Sequence, residues 1–171
     1  FKEIGVPHYT EEEHEFARQI VAQYEAGPNA EDGAAKTTKA WGKELNDYYK
    51  EHGVSLNELL LSLQPYDTVG AGSTDVGDVS WNCPTAQIHV VTTAAKTPGH
   101  SWQFTACNKT SIAHKGVNCA GKVMGATVID LINDPSIIEK AQVEFTERLD
   151  GETYKCPIPA GIKPQAINPK K

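Results

Sequence analysis

The sequence predicts an α/β domain, on three observations. Residues 85–93, TAQIHVVTT, alternate and are rich in β-branched side chains, the pattern of a strand. Residues 10–26 and 111–133 carry apolar side chains at helical spacing. Between and around them runs the stretch 72–103, GSTDVGDVSWNCPTAQIHVVTTAAKTPGHSWQ, which offers carboxylates before the strand and an imidazole after it.

The helices carry their own punctuation. Thr10 and Glu13 form a capping box, and Glu11, Glu12 and Glu13 suit the positive end of the helix dipole. Phe16, Ile20, Val21 and Tyr24 share a face, and Gly27-Pro28 ends the segment. His14 lies off that face and reads as a solvated histidine. Residues 28–53 are weakly patterned, with a short helix possible up to Gly53. Ser55 and Glu58 suggest a second capping box ahead of Leu59, Leu60, Leu61 and Leu63, so one short helix is expected within 56–63.

Gly70, Gly72 and Gly77 mark a tightly turning loop. His89, between Ile88 and Val90, reads as part of the strand. The strand at 85–93 is alone, so 66–70, 79–82 and the segment Trp102–Phe104 are its weaker candidate partners. In 111–133 the small residues Gly116, Ala120, Gly121 and Gly125 are costly to helix propensity and make sense where the helix packs closely on another layer. Asp134-Pro135 caps and starts a further helix, with Ile138, Ala141, Phe145 and Leu149 on its inner face and Gly151 as its stop. The proline-rich end, 161–171 above all, reads as an extended tail.

Composition narrows the function classes. With 16 basic and 22 acidic side chains the net charge is −6, which argues against nucleic acid and anionic membrane surfaces as partners. No apolar run approaches the roughly 20 residues that span a bilayer. The four cysteines, Cys83, Cys107, Cys119 and Cys156, form no CxxC pair and no zinc-finger spacing, and Cys119 falls in the apolar pattern of its helix. Cysteines so scattered point to a reducing, cytoplasmic home. The chain opens on Phe1 and its only methionine is Met124, so it reads as one piece of a longer protein.

Several groups could carry chemistry. His100 follows Thr97-Pro98-Gly99, in a turn just beyond the strand, where it is either a metal donor held by a fixed backbone or a structural turn residue. Asp75 and Asp78 could ligate a hard metal, orient a histidine or act as base; each could equally close an Asx turn. His114 opens the long helix, where it could meet an anionic substrate, stand beside a metal, or only pack and cap. Ser101 gains nothing as a nucleophile from adjacency to His100, and no GxSxG elbow, phosphate loop or dinucleotide fingerprint is present.

Taken together, GSTDVGDVSWNCPTAQ, TPGHSWQ, SIAHKG with AGKVMGATVIDLINDP, and YKCPIP resemble the C-terminal part of amidohydrolases of the aminobenzoyl-glutamate hydrolase type. These belong to the zinc aminoacylase–carboxypeptidase superfamily. The resemblance covers roughly residues 1–160. It implies the C-terminal half of a three-layer metallohydrolase catalytic domain, a mixed sheet flanked by helices, with the lid domain absent. It implies two divalent metal ions, zinc or manganese, in the full protein, with His100 as a metal ligand.

Ser73, Thr74, Asp75, Asp78, Ser101 and His114 would stand beside the site, orienting ligands or touching substrate. The catalytic glutamate and the other ligands are expected upstream, so no catalytic residue is assigned here and this chain alone would not bind the metals. The implied activity is hydrolysis of an amide bond to an amino acid, a step of folate catabolism. Implied partners are a small-molecule amide substrate, the N-terminal half of the same protein, and a further copy or a different chain in a homodimer or heterodimer. The rival expectation is a non-catalytic partner or binding subunit that keeps only the fold half.

Overall fold

The Thr10–Glu13 capping box forms as the sequence predicts. In the computed structural model, which describes residues 1–25, 39–63 and 74–163, the Thr10 amide donates to Glu13 Oε2 at 2.7 Å and the Glu13 amide to Thr10 Oγ1 at 3.3 Å. Helix α1, Glu11–Glu25, starts there. Ala17 and Ile20 are buried, and Phe16 and Val21 pack against the same core. The expected stop at Gly27-Pro28 lies outside the described residues.

Helix α2, Lys39–His52, ends at Gly53, whose φ of 62° makes it a left-handed terminus suited to glycine. The short helix expected in 56–63 is absent. Its intended cap residue, Glu58, turns instead to the N-terminal segment, where its carboxylate accepts from the Tyr9 amide at 3.0 Å and meets His8 at 2.7 Å. Leu56 is fully buried in the core while Leu63 is 93% exposed.

The expected α/β architecture is not observed. The described residues form helices and irregular chain, with no strand or sheet, so the three-layer mixed-sheet arrangement is corrected to an all-helical one over those residues. The physical reason is pairing. Residues 85–93 carry a strand pattern, but a strand exists only by bonding to another, and no described segment offers a ladder. Val79 and Ser80 enter helix α3, Val76–Ser80. Trp102–Phe104 opens helix α4, Trp102–Asn108, because Ser101 caps it with extended backbone and its hydroxyl accepts from the Phe104 amide. Candidate 66–70 lies outside the described residues.

Helix α5, Ser111–Asn133, matches its predicted bounds. Its buried stripe is Ile112, Ala113, Gly116, Cys119 and Val123. Gly116 explains one of the costly small residues, since a Cβ there would lie 2.0 Å from the Val91 carbonyl oxygen. The close packing is thus against the irregular 88–94 chain rather than a sheet. Helix α6, Ser136–Leu149, begins one residue later than the proline signal, and the Asp134 carboxylate accepts the Ser136 amide at 3.1 Å. Asp150, left-handed at φ 47°, and Gly151 at φ 78° end it. Ala141, Phe145 and Leu149 are half-buried, whereas Ile138 is exposed.

The chain divides into two compact units, 1–67 with 88–130 and 68–87 with 131–171. The first holds the core: Ala17, Ile20, Leu56, Ala94, Cys107 and Ile112. The second contains α3, α6 and the chain that follows α6. No helix among the described residues is long and apolar enough to cross a membrane.

Candidate functional site

His100 sits between two hydrogen-bonded turns. Thr97 donates from its amide and its hydroxyl to the Ala94 carbonyl, at 3.3 and 2.7 Å. On the other side the Ser101 hydroxyl donates to the Pro98 carbonyl at 2.7 Å while accepting from the Phe104 amide at 3.2 Å. His100 itself is exposed, with φ at 58°. A non-glycine residue in that region costs free energy, and such strain clusters where a side chain must be presented in one direction. The Ser101 hydroxyl is engaged in the cap of α4 and in the turn before His100. His114 lies in the first turn of α5 and is exposed.

The carboxylates belong to the second unit. Thr74 Oγ1 accepts from the Val76 amide at 3.4 Å, a local turn contact. Asp75 occupies the N-cap position of α3 with no side-chain cap bond, leaving its exposed carboxylate outward. Asp78 is also exposed. Partial burial, then the neighbouring Asp78 and Cys156, push the Tyr154 phenol up to about 12. Ser73 lies outside the described residues, and His89 is exposed.

His100, Ser101 and His114 therefore belong to one unit, and Thr74, Asp75 and Asp78 to the other. Among the described residues no group of three or more His, Cys, Asp or Glu could hold a metal ion. Protein metal sites use three or four donors, so the donor set described does not by itself fit a metal pair.

The best-connected polar groups escaped the sequence reading. His14 is not solvated: its side chain is 13% exposed and its Nε2 lies 3.2 Å from Glu58 Oε1, while His8 Nδ1 lies 2.7 Å from Oε2. Burial raises the Glu58 carboxyl, but the hydrogen bonds from His8 and the Tyr9 amide, with the charges of His8 and His14, lower it on balance. Next to it, Glu13 is buried and accepts from Lys115 Nζ at 2.6 Å and from the Ser111 hydroxyl at 2.5 Å. Burial pushes this carboxyl up as well, yet the bonds from Lys115, Ser111 and the Thr10 amide bring it down to about 2. Lys115 also donates to the His8 carbonyl at 2.9 Å, and its Nζ lies 5.5 Å from the centre of the Tyr9 ring. These contacts tie the first ten residues, α1, the 54–63 chain and the start of α5 together. Separations of 44 residues (His14 to Glu58) up to 107 left no local signal for them.

No family model matches the chain, and no solved structure matches it. A curated protein does. This chain is similar to a subunit of p-aminobenzoyl-glutamate hydrolase. Over 169 residues, 96% of this chain, it is 38% identical to that protein from Escherichia coli (strain K12). It covers 34% of that protein, so it spans about a third of the length of the curated relative it matches. The match bears out the resemblance read from the motifs and is consistent with a C-terminal part of such a protein.

Proposed function

We propose that this chain is the C-terminal part of the catalytic domain of a metal-dependent amidohydrolase, one that cleaves an amide bond to an amino acid in N-acyl or aminobenzoyl-glutamate substrates. The observation that carries the reading is the 38% identity across 96% of the chain to a protein named as an aminobenzoyl-glutamate hydrolase subunit. The metals would supply Lewis acidity and an activated water when bound in the whole protein. This chain's own share is narrower. The Ala94–Ser101 turns fix a left-handed backbone at His100 and present an exposed imidazole as one metal donor. Thr74, Asp75, Asp78 and His114 are exposed groups that would orient ligands or meet substrate. The chain alone, lacking a complete donor set among its described residues, is expected to be inactive.

The test is an assay of the purified chain on p-aminobenzoyl-glutamate with zinc or manganese added. It is then repeated after co-expression with the part of the E. coli relative that lies outside the match. Turnover only in the second case, abolished by His100→Ala, is expected. Turnover by the chain alone that His100→Ala removes would show a complete site here and overturn the divided one. A complex that forms but never turns over favours the non-catalytic partner.

A further inference from the structure

We propose that Glu58 is a positioning residue for His100: it registers the irregular 55–58 chain, and that chain braces the turn on which His100 sits. The inference goes beyond the hydrolase reading, because it concerns how the turn is held and not what the imidazole meets. Every residue in it belongs to the first unit.

The brace is a short series of bonds. The Ala95 amide donates to the Ser55 carbonyl at 2.8 Å. The Ala94 carbonyl accepts the Thr97 amide and hydroxyl that close the turn. The Ser101 hydroxyl then closes on the Pro98 carbonyl, so that this bond encloses His100 itself. Ala94 is buried in the same core cluster as Leu56, the residue next to Ser55. The turn therefore starts from a point that the 55–58 chain sets.

Residues 55–58 have no helix or strand to hold them. A segment without a ladder is placed by its side chains and by bonds to other segments. Leu56 supplies burial, which is non-directional, and Glu58 supplies direction. The Glu58 carboxylate accepts the Tyr9 amide at 3.0 Å and lies 2.7 Å from His8 Nδ1 and 3.2 Å from His14 Nε2. Its own amide donates to Tyr48 Oη at 3.3 Å. The N-terminal segment, α1 and α2 thus converge on this one residue.

His14 shows that the convergence carries a penalty. Its Nδ1 is buried with no hydrogen-bond partner among the described residues, which packing alone does not explain. A phenyl ring would fill much the same space without that penalty. What the imidazole adds is Nε2 against Glu58.

The test reads the turn directly, by nuclear magnetic resonance of this chain at one fixed pH. Glu58→Ala should lower the hydrogen-exchange protection of the Ala95 amide about tenfold or more and shift the His100 imidazole resonance. Protection at Ile20 in α1 and Val123 in α5 should hold, since local release does not open the core. Glu58→Gln keeps an acceptor for the Tyr9 amide and should stay within about threefold of wild type. His14→Phe keeps a ring and loses Nε2, so it should lower Ala95 protection about threefold, and it carries the test where Glu58→Ala does not fold. Unchanged Ala95 protection in Glu58→Ala or, where that variant does not fold, in His14→Phe would overturn the proposal. So would a loss shared equally by Ile20 and Val123, which would make Glu58 a general support only. An unmoved His100 resonance, or a Glu58→Gln variant as perturbed as Glu58→Ala, would overturn it too. No readout requires turnover, so absent hydrolysis leaves the brace standing, and a failed brace leaves the hydrolase reading standing.

Discussion

The two compact units are built from similar apolar patterns, yet among the described residues only one of them has an interior. Every buried residue of the described chain, from Glu13 to Val123, falls in the unit of residues 1–67 and 88–130. The other unit has none among its described residues, although α6 carries Ile137, Ile138, Val143 and Phe145. Both exposed cysteines, Cys83 and Cys156, lie in the second unit and both buried ones, Cys107 and Cys119, in the first. Periodicity specifies which face of a helix is apolar. It does not specify what covers that face, which is a long-range fact.

The sharpest way to test the contrast is inside α5. Gly116→Val would drive a side chain into the Val91 carbonyl, with backbone on both sides of the clash. A cost of about 3 kcal/mol or more is expected in urea unfolding monitored by circular dichroism. Gly125→Ala, on open surface, should instead raise stability by up to about 1 kcal/mol. Equal effects at the two positions would mean that α5 has no distinct buried and bare faces.

Leu56 and Ile138 make the same comparison between units. Leu56 is fully buried against α1, and its replacement by alanine should cost about 3 kcal/mol. Ile138 is 51% exposed, and Ile138→Ala should stay within about 0.5 kcal/mol. A large loss at Ile138 in the isolated chain would show that the second unit has an interior after all.

Glu13 tests how the first unit is tied together. Glu13→Gln leaves Lys115 without its charged partner and should cost about 2 kcal/mol. It should also change the acid response. The carboxyl is held at about 2 in the folded chain against an ordinary 4.5, a depressed value. Its contribution is therefore complete above that ordinary value and is lost as pH falls from about 4.5 towards about 2. Thermal midpoints between pH 6 and pH 2, as a rough working range, should converge for wild type and variant across that window. Parallel curves would show that the Glu13–Lys115 pair does not set the acid response.

What the sequence disclosed was local. The Thr10–Glu13 box and the extent of α5 each depend on residues within a few positions, and each forms. The Asp134 carboxylate does accept the Ser136 amide, but the cap position of α6 falls on Pro135. The errors arose where a distant group competed. Glu58 had the spacing of a cap with Ser55, but His8, Tyr9 and His14 offered its carboxylate better partners. Residues 85–93 had the composition of a strand without a neighbour to pair with. Ser101 carried a cap signal that the aromatic residues after it obscured. At the site, the chemical types were legible and the left-handed backbone at His100 was not, because φ is imposed by the turns on either side.

The cysteines give the smallest perturbation and the most direct readout. Cys107 is fully buried among Leu56, Ile112 and Ala94, and Cys119 is 6% exposed with its thiol 3.6 Å from the Gly5 carbonyl. A thiol reagent such as an aromatic disulfide reacts with an accessible thiolate and cannot reach one behind packed side chains. In the native chain Cys83 and Cys156 should be labelled rapidly, and Cys107 and Cys119 only on the timescale of unfolding. Mass spectrometry of peptides from a time course separates the four. Adding the part of the E. coli relative outside the match then extends the comparison, because slowed labelling at Cys83 or Cys156 would show that the second unit acquires from that partner the cover it lacks alone. Fast labelling of Cys107 would instead place the opening in the first unit, and the contrast between a cored and a bare unit would fail.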